Sequence, residues 1–235
     1  MKRFYKTAAV ARGEQDSTYR IALDGRPIRT PTKAILELQS EAFARAIAAE
    51  WNSQGEEIDP RSMPMMAFAC TAIDLISKKR DQTVADVLAH AEHDLLCYRA
   101  EAPADLAERQ NREWQPLLDW AALTLDAPMK VTSGVVSVRQ DEQAIQAFGR
   151  VVTGLDALAL SVLSGAVAAS GSLIIGLAMR AGKIDAETAY AAAQLDELYQ
   201  AERWSEDPDA RRRREAIRKD LDAAARAFAL LRESA

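Results

Sequence analysis

Four residues whose side chains can ligate a metal or attack a substrate stand close together near the middle of the chain: His90, His93, Asp94 and Cys97. If the segment from about Gln82 to Cys97 is helical, spacings of three, four and seven put all four on one face. There imidazole, carboxylate and thiolate could hold zinc or a similar ion. Cys97 could instead act as a nucleophile with a histidine as its base. Both readings lack company: these are the only two histidines, Cys70 is the only other cysteine, and no glycine-rich oxyanion loop accompanies them. The plainer reading is an amphipathic helix that buries Cys97. A metal- or thiol-dependent enzyme using the His90, Asp94 and Cys97 face is therefore kept as the alternative function. No catalytic, metal or cofactor residue is assigned.

Other chemistry is thinner still. Neither a Walker-type nor a dinucleotide-type glycine loop is present, so nucleotide binding has no support in the sequence. The tract Arg211 to Arg214 could attract nucleic acid, but Glu206, Asp207, Asp209 and Glu215 surround it and no aromatic residue is interleaved. That pattern fits a solvated helix face with internal ion pairs, and no nucleic-acid partner is expected. Between Leu195 and Trp204 a helical register puts Gln194, Glu197, Ala201 and Trp204 on one stripe, with Ala191, Leu195 and Leu198 facing a core. A tryptophan flanked by an amide and a carboxylate is the composition of an interface anchor. The competing reading is a partly buried tryptophan at a helix end.

These residues are carried by a chain of 235 residues, 49% hydrophobic and 28% charged, with net charge −5, the composition of an ordinary soluble domain or pair of domains. The acidic balance argues against general polyanion binding. Two cysteines in apolar helical segments suggest buried thiols in a reducing compartment. The opening Met1 to Lys6 runs into polar residues, so no secretory signal is expected and the location is read as cytoplasmic, or the mitochondrial matrix for a processed eukaryotic form. The stretch Ala157 to Met179 carries no charge and approaches membrane-spanning length. Ser170-Gly171-Ser172 interrupts it with a fresh cap, so two buried helices are expected and no stable membrane insertion.

The positioning elements are expected to be α+β and mostly helical: a small antiparallel β domain over 1–62, then a larger all-helical domain over 63–235. Tyr19, Ile21 and Leu23 alternate with Arg20, Ala22 and Asp24 as in a half-buried strand, and Asp24-Gly25 turns the chain. Pieces at Pro27 to Pro31 and Ile35 to Leu38 read as short edge strands. Ser40 caps a helix to about Gln54 with Phe43, Ile47 and Trp51 on one stripe, so Trp51 is expected to pack that helix between the sheet and the helical domain. Helices are then expected from Pro64, from Gln82 to Cys97, from Leu106 to Asn111, and from Pro116 through Trp120 to Leu125. Pro128 to Val138 reads as an extended connection. Further helices follow from Asp141, from Asp156 to Ala169, from Leu173 to Ala181, from Asp185 to Trp204, and from Pro208 to Leu231.

Taken in order, the motifs resemble the assembly chaperones of F-type ATP synthase that bind the free α subunit of its catalytic head. The resemblance is carried by Lys2-Arg3-Phe4-Tyr5-Lys6, Leu23-Asp24-Gly25-Arg26-Pro27, Thr30-Pro31, Glu50-Trp51 with Gln54, Ile58, Pro60, Met63-Pro64 and Ala72-Ile73-Asp74. Asp94-Leu95-Leu96-Cys97-Tyr98-Arg99 follows, then Gln110, Trp114, Pro116-Leu117-Leu118, Trp120, Gly171-Ser172-Leu173 and Asp196-Glu197 with Gln200, Trp204 and Asp207. The chain departs from the family pattern at Gln39, where proline is usual, and at Ser205, where glycine is usual. The resemblance implies a small β-containing domain before a helical one and no catalysis. It makes Trp51, Asp94, Tyr98 and Trp120 structural residues, and it turns the His90 to Cys97 segment into a structural motif. It implies a monomer that shields the β-facing surface of an unassembled α subunit until a β subunit displaces it. The residues expected to touch that partner are Glu197, Gln194, Gln200, Trp204 and Asp207.

Overall fold

The computed structural model describes residues 1–235 apart from 16, 135, 205–206 and 234–235. Ser205 and Glu206, which entered the sequence reading, thus lie outside the described residues. In chain order the elements are β1 (Ala8–Arg12), β2 (Tyr19–Leu23), β3 (Arg26–Pro27), β4 (Glu37–Leu38), α1 (Glu41–Asn52), α2 (Pro64–Thr71) and α3 (Ser77–Glu92). Then come β5 (Tyr98–Arg99), α4 (Ala104–Leu125), β6 (Thr132–Ser133), α5 (Glu142–Thr153), α6 (Ala157–Ser170), α7 (Leu173–Arg180), α8 (Ala186–Ala193), α9 (Leu195–Arg203) and α10 (Pro208–Arg232). The fold is α+β and mostly helical, with a small antiparallel sheet at its N-terminal end.

By compactness the chain forms two units, Met1–Arg80 with Asp156–Val162 and Arg226–Ala235, and Asp81–Leu155 with Leu163–Ala225. The sequence expectation divided the chain after residue 62; residues 63–80 fall with the first unit. In that unit β2 is central. It pairs antiparallel with β1 from Ala8 opposite Leu23 to Arg12 opposite Tyr19, and also with β3 and β4. β1 has little sequence signal, since Ala-Ala-Val-Ala-Arg favours no period, and the pairing itself makes it a strand. Asp24 turns the hairpin with φ 46°, and its carboxylate accepts the Lys6 and Thr7 amides at 3.0 and 2.9 Å. The Ser40 hydroxyl caps α1 by accepting the Phe43 amide at 3.0 Å, as expected. Ile21, Leu36, Phe43, Ile47, Met65 and Ile76 are fully buried.

Residues 63–80 join this unit through carboxylates. Glu50, buried on α1, accepts the Met65 and Met66 amides at 2.7 and 2.9 Å and so caps α2 from outside its own helix. Asp74, in a turn of π-helix over Ala72–Ile76, accepts the hydroxyls of Thr30 and Thr32 at 2.6 and 2.5 Å. Trp51 is half-buried, and its ring meets Tyr5 edge to face at 5.4 Å while its carbonyl accepts the Tyr5 hydroxyl at 2.6 Å.

In the second unit several expectations are corrected. The helices expected from Leu106 and from Pro116 are one helix, α4. Pro116 removes one amide donor, but Trp114, Leu117, Leu118 and Ala121 are buried around it and hold the helix straight through. The Trp114 indole donates to the Ala192 carbonyl at 2.9 Å, and Trp120 is half-buried. The helix expected from Asp185 to Trp204 is two, α8 and α9, because Gln194 takes φ −113° and ψ 21° between them. β5 and β6 form a two-residue parallel ladder that the pattern did not suggest. The uncharged stretch breaks as expected at Gly171, whose φ is 72°, with the Ser172 hydroxyl capping α7. Among the described residues no helix is long and apolar enough to cross a membrane.

Candidate interaction surface

The constellation of His90, His93, Asp94 and Cys97 does not share a helix face. α3 stops at Glu92, and Asp94 starts a short 3-10 turn over Leu95–Cys97 by accepting the Leu96 amide at 3.1 Å. The wrong expectation came from periodicity, which cannot see that Asp94 prefers to cap. Asp94 is fully buried and its remaining capacity is used: it accepts the Ser172 hydroxyl at 2.7 Å and the Ile174 amide at 3.1 Å. Burial pushes its carboxyl up from the usual range, against the pull of those donors. His93 is exposed and stands 3.3 Å from the Tyr98 hydroxyl. Burial holds the Cys97 thiol at about 12 and the Cys70 thiol at about 11, far from the thiolate a nucleophile or ligand requires. Among the described residues no cluster of three or more His, Cys, Asp and Glu side chains could hold a metal ion.

The motif residues instead find one another. Asp24 meets Lys6 and Thr7, Thr30 meets Asp74, Glu50 meets Met65, and Asp94 meets Ser172. Gln110, itself buried, receives the Ala100 amide at 2.7 Å and donates to Asp196 at 2.8 Å. Sequence reading could name these residues but not their pairings, which join positions as far as 86 apart.

Gln110 and Asp196 belong to a seam that fastens α9 to α4. The Tyr199 hydroxyl donates to Asp105 at 2.7 Å, Arg203 pairs with the same carboxylate, and Arg109 pairs with Glu202 at 2.8 Å. The Arg203 guanidinium also lies 3.6 Å from the centre of the Tyr199 ring. The Tyr199 hydrogen bond, with the Arg203 charge, holds the Asp105 carboxyl below its usual range. One side of α9 is thereby committed to the fold.

Its other side is not. Glu197 and Gln200 are exposed, and Trp204, at the end of α9, is 66% exposed. None of the three side chains has a hydrogen bond or ion pair among the described residues. Three of the arginines that could have neutralised Glu197 locally are engaged elsewhere, Arg203 with Asp105, Arg211 with Glu215 and Arg212 with Asp209. The stripe does not extend to Gln194. That side chain is buried at the α8–α9 junction and donates to the Ala193 carbonyl at 3.2 Å, so helical spacing placed it wrongly. Asp207 is exposed, but its carboxylate accepts the Asp209 amide at 3.1 Å at the start of α10, which is a capping role.

The chain is α+β, its motif residues tie the fold together, and one face of α9 presents exposed side chains without polar partners among the described residues. Comparison with known proteins identifies its kind. The family profile of the ATP12 chaperone protein matches residues 2–122. Atp12 from Paracoccus denitrificans is similar in structure, with TM-score 0.92 and 39% identity over 97% of each chain. The Atu1473 protein of Agrobacterium tumefaciens is similar at TM-score 0.93 and 39% identity, covering 98% of this chain and 86% of that one. The mitochondrial protein atp12 of Schizosaccharomyces pombe is 24% identical over 221 residues, 89% of this chain and 75% of the relative. The chain belongs to the ATP12 chaperone family, assembly chaperones of ATP synthase.

Proposed function

We propose that this chaperone binds the unassembled α subunit of ATP synthase through the free face of α9, with Glu197, Gln200 and Trp204 as the contact residues. The observation that carries the proposal is the division of α9: Asp196, Tyr199, Glu202 and Arg203 are bonded to α4, while the side chains of Glu197, Gln200 and Trp204 have no polar partner among the described residues. A fold gains nothing from a large indole held in water, whereas an interface gains most from an aromatic anchor beside a charge. Gln194 and Asp207 act behind this face, the first packed beneath it and the second capping the next helix. The bound chaperone covers apolar surface of the α subunit that would otherwise aggregate. Release follows when a β subunit offers a larger interface for the same surface, with no reaction carried out by this chain. The setting is a reducing one, the bacterial cytoplasm or the mitochondrial matrix, and the working unit is a monomer.

The test is Glu197→Lys, assayed for thermal unfolding and for capture of purified α subunit. A partner contact predicts an unchanged melting temperature and at least about tenfold weaker capture, since reversing a desolvated interfacial charge costs about 2 kcal/mol or more. Normal capture by a normally folded variant would place the interface elsewhere. Light scattering of refolding α subunit, with and without the chaperone and without ATP, tests the shielding itself.

A further inference from the structure

The first unit holds an open cleft of about 560 Å³ whose walls include Phe4, Tyr5, Ile28 and Trp51, with Arg26 and Arg29 among its lining residues. Phe4 is 67% exposed, an unusual state for a phenylalanine, and it stacks edge to face on Tyr5 at 5.5 Å. Tyr5 in turn meets Trp51 at 5.4 Å, so three aromatic rings form one continuous wall. The cationic side is equally available. Arg26 and Arg29 are exposed; Arg26 has no ion pair among the described residues, and Arg29 only donates to the Lys33 carbonyl at 2.7 Å. Asp24 also lines the cleft, but its carboxylate is occupied by the Lys6 and Thr7 amides and the Thr7 hydroxyl.

The cationic lining outweighs the anionic, with Arg26 and Arg29 against Asp24, and the stretch of chain that carries the cleft is predominantly basic. Residues 1–33 contain eight Lys and Arg against three Asp and Glu, a net +5 in a chain whose total is −5. An aromatic cleft of this volume has room for a large apolar side chain together with its flanking residues, and guanidinium groups without an ion pair beside it select carboxylates.

We propose that this cleft is a second docking site, which takes an extended acidic segment of the client protein, an apolar side chain seated against Phe4 and Trp51 and flanking Asp or Glu residues paired with Arg26 and Arg29. Its identity as a client site rests on the chaperone reading above. Its chemistry does not. Two-site engagement would raise overall affinity beyond what the α9 face supplies, through the effective concentration of the second contact.

The experiment compares wild type, Arg26→Glu and Phe4→Ser for capture of purified α subunit at low and high salt, with melting temperatures as the folding control. The expected result is about tenfold weaker capture by Arg26→Glu with a flattened salt dependence, and about fivefold weaker capture by Phe4→Ser with the salt dependence retained. In parallel, an acetylated Asp-Glu-Phe-Glu-Asp amide is titrated while the indole N–H resonance of Trp51, assigned with Trp51→Phe, is followed by NMR. It should shift with this peptide, and not with a Lys-Lys-Phe-Lys-Lys counterpart or in Arg26→Glu. Wild-type capture left unchanged in both variants would overturn the proposal, as would no indole shift up to millimolar peptide. Failure of wild type to capture α subunit would overturn the proposed function instead, and the peptide titration alone would then decide the cleft.

Discussion

Asp94 and Ser172 stand 78 positions apart, and each begins a helical turn of its own while bonded to the other at 2.7 Å. Asp94 caps the 3-10 turn over Leu95–Cys97, Ser172 caps α7 by accepting the Ile175 amide at 3.1 Å, and the Asp94 carboxylate reaches across to the Ile174 amide. Two N-caps are thus joined in a site closed to water, where losing either partner strands polar groups without replacement.

Asp94→Asn is expected to destabilise by about 1–3 kcal/mol, because a carboxamide puts an NH2 group, which only donates, where one acceptor oxygen of the carboxylate stood. The variant should also show a different pH profile. The folded-state pKa of Asp94 is raised, so the native protein binds more protons here than the unfolded chain does. The contribution of this group to stability is therefore greatest at acid pH. It is lost as pH rises from the ordinary carboxylate value, about 4, through the raised one. Urea unfolding at several pH values between about 4 and 8 should give a wild-type minus variant difference that shrinks with increasing pH. A constant difference would refute the assignment.

Trp51→Arg is expected to yield little soluble protein, since it removes the ring that packs on Tyr5 and puts a charge in its place, at about 3–5 kcal/mol. Trp51→Phe should fold, because the indole nitrogen has no hydrogen-bond partner among the described residues to lose. Expression level and melting temperature of the two variants check this. A Trp51→Arg protein with the wild-type melting temperature would contradict it.

Two glycines in the uncharged stretch should respond to alanine for different reasons. At Gly171 no atom lies within 4 Å of an added Cβ, but φ is 72°, so Gly171→Ala should cost about 1 kcal/mol through backbone strain alone. At Gly176 the backbone is helical, and a Cβ would meet Leu163 at 3.0 Å and Val167 at 3.1 Å. Gly176→Ala should cost about 1–3 kcal/mol through overpacking, and Leu163→Ala should recover part of it in the double variant. Denaturation of Gly171→Ala, Gly176→Ala, Leu163→Ala and the double variant separates the two origins.

Much of the fold was legible where a local rule coincided with the tertiary solution. Ser40, Asp185 and Ser172 cap the helices they were expected to cap, and of the apolar spacing Ile217, Leu221, Ala224, Phe228 and Leu231 in α10 the middle three are buried and the two ends half-buried. Reading failed where a distant contact outweighed local preference. Pro116 looked like a helix start because the burial of Trp114 on its preceding side is not written in the local sequence. Gln194 looked like a helix interior residue, and nothing nearby marks the break. For the candidate surface, Glu197, Gln200 and Trp204 could be named from the sequence. What set them apart from Asp196, Tyr199 and Glu202 on the same helix was the set of bonds to α4, visible only once both helices are in place.

The fastening of α9 to α4 also bears on what the proposed recognition would cost. A surface loop would have to lose backbone freedom on meeting a partner, about 1–2 kcal/mol for each residue ordered. Here that ordering is completed during folding by Gln110, Asp105 and Arg109, which hold the helix from behind. In the proposed contact only the rotamers of Glu197, Gln200 and Trp204 would remain to be settled, at about 0.5–1.5 kcal/mol per side chain. Loosening the rear attachments, without touching one exposed atom of the face, would therefore be felt as weaker binding.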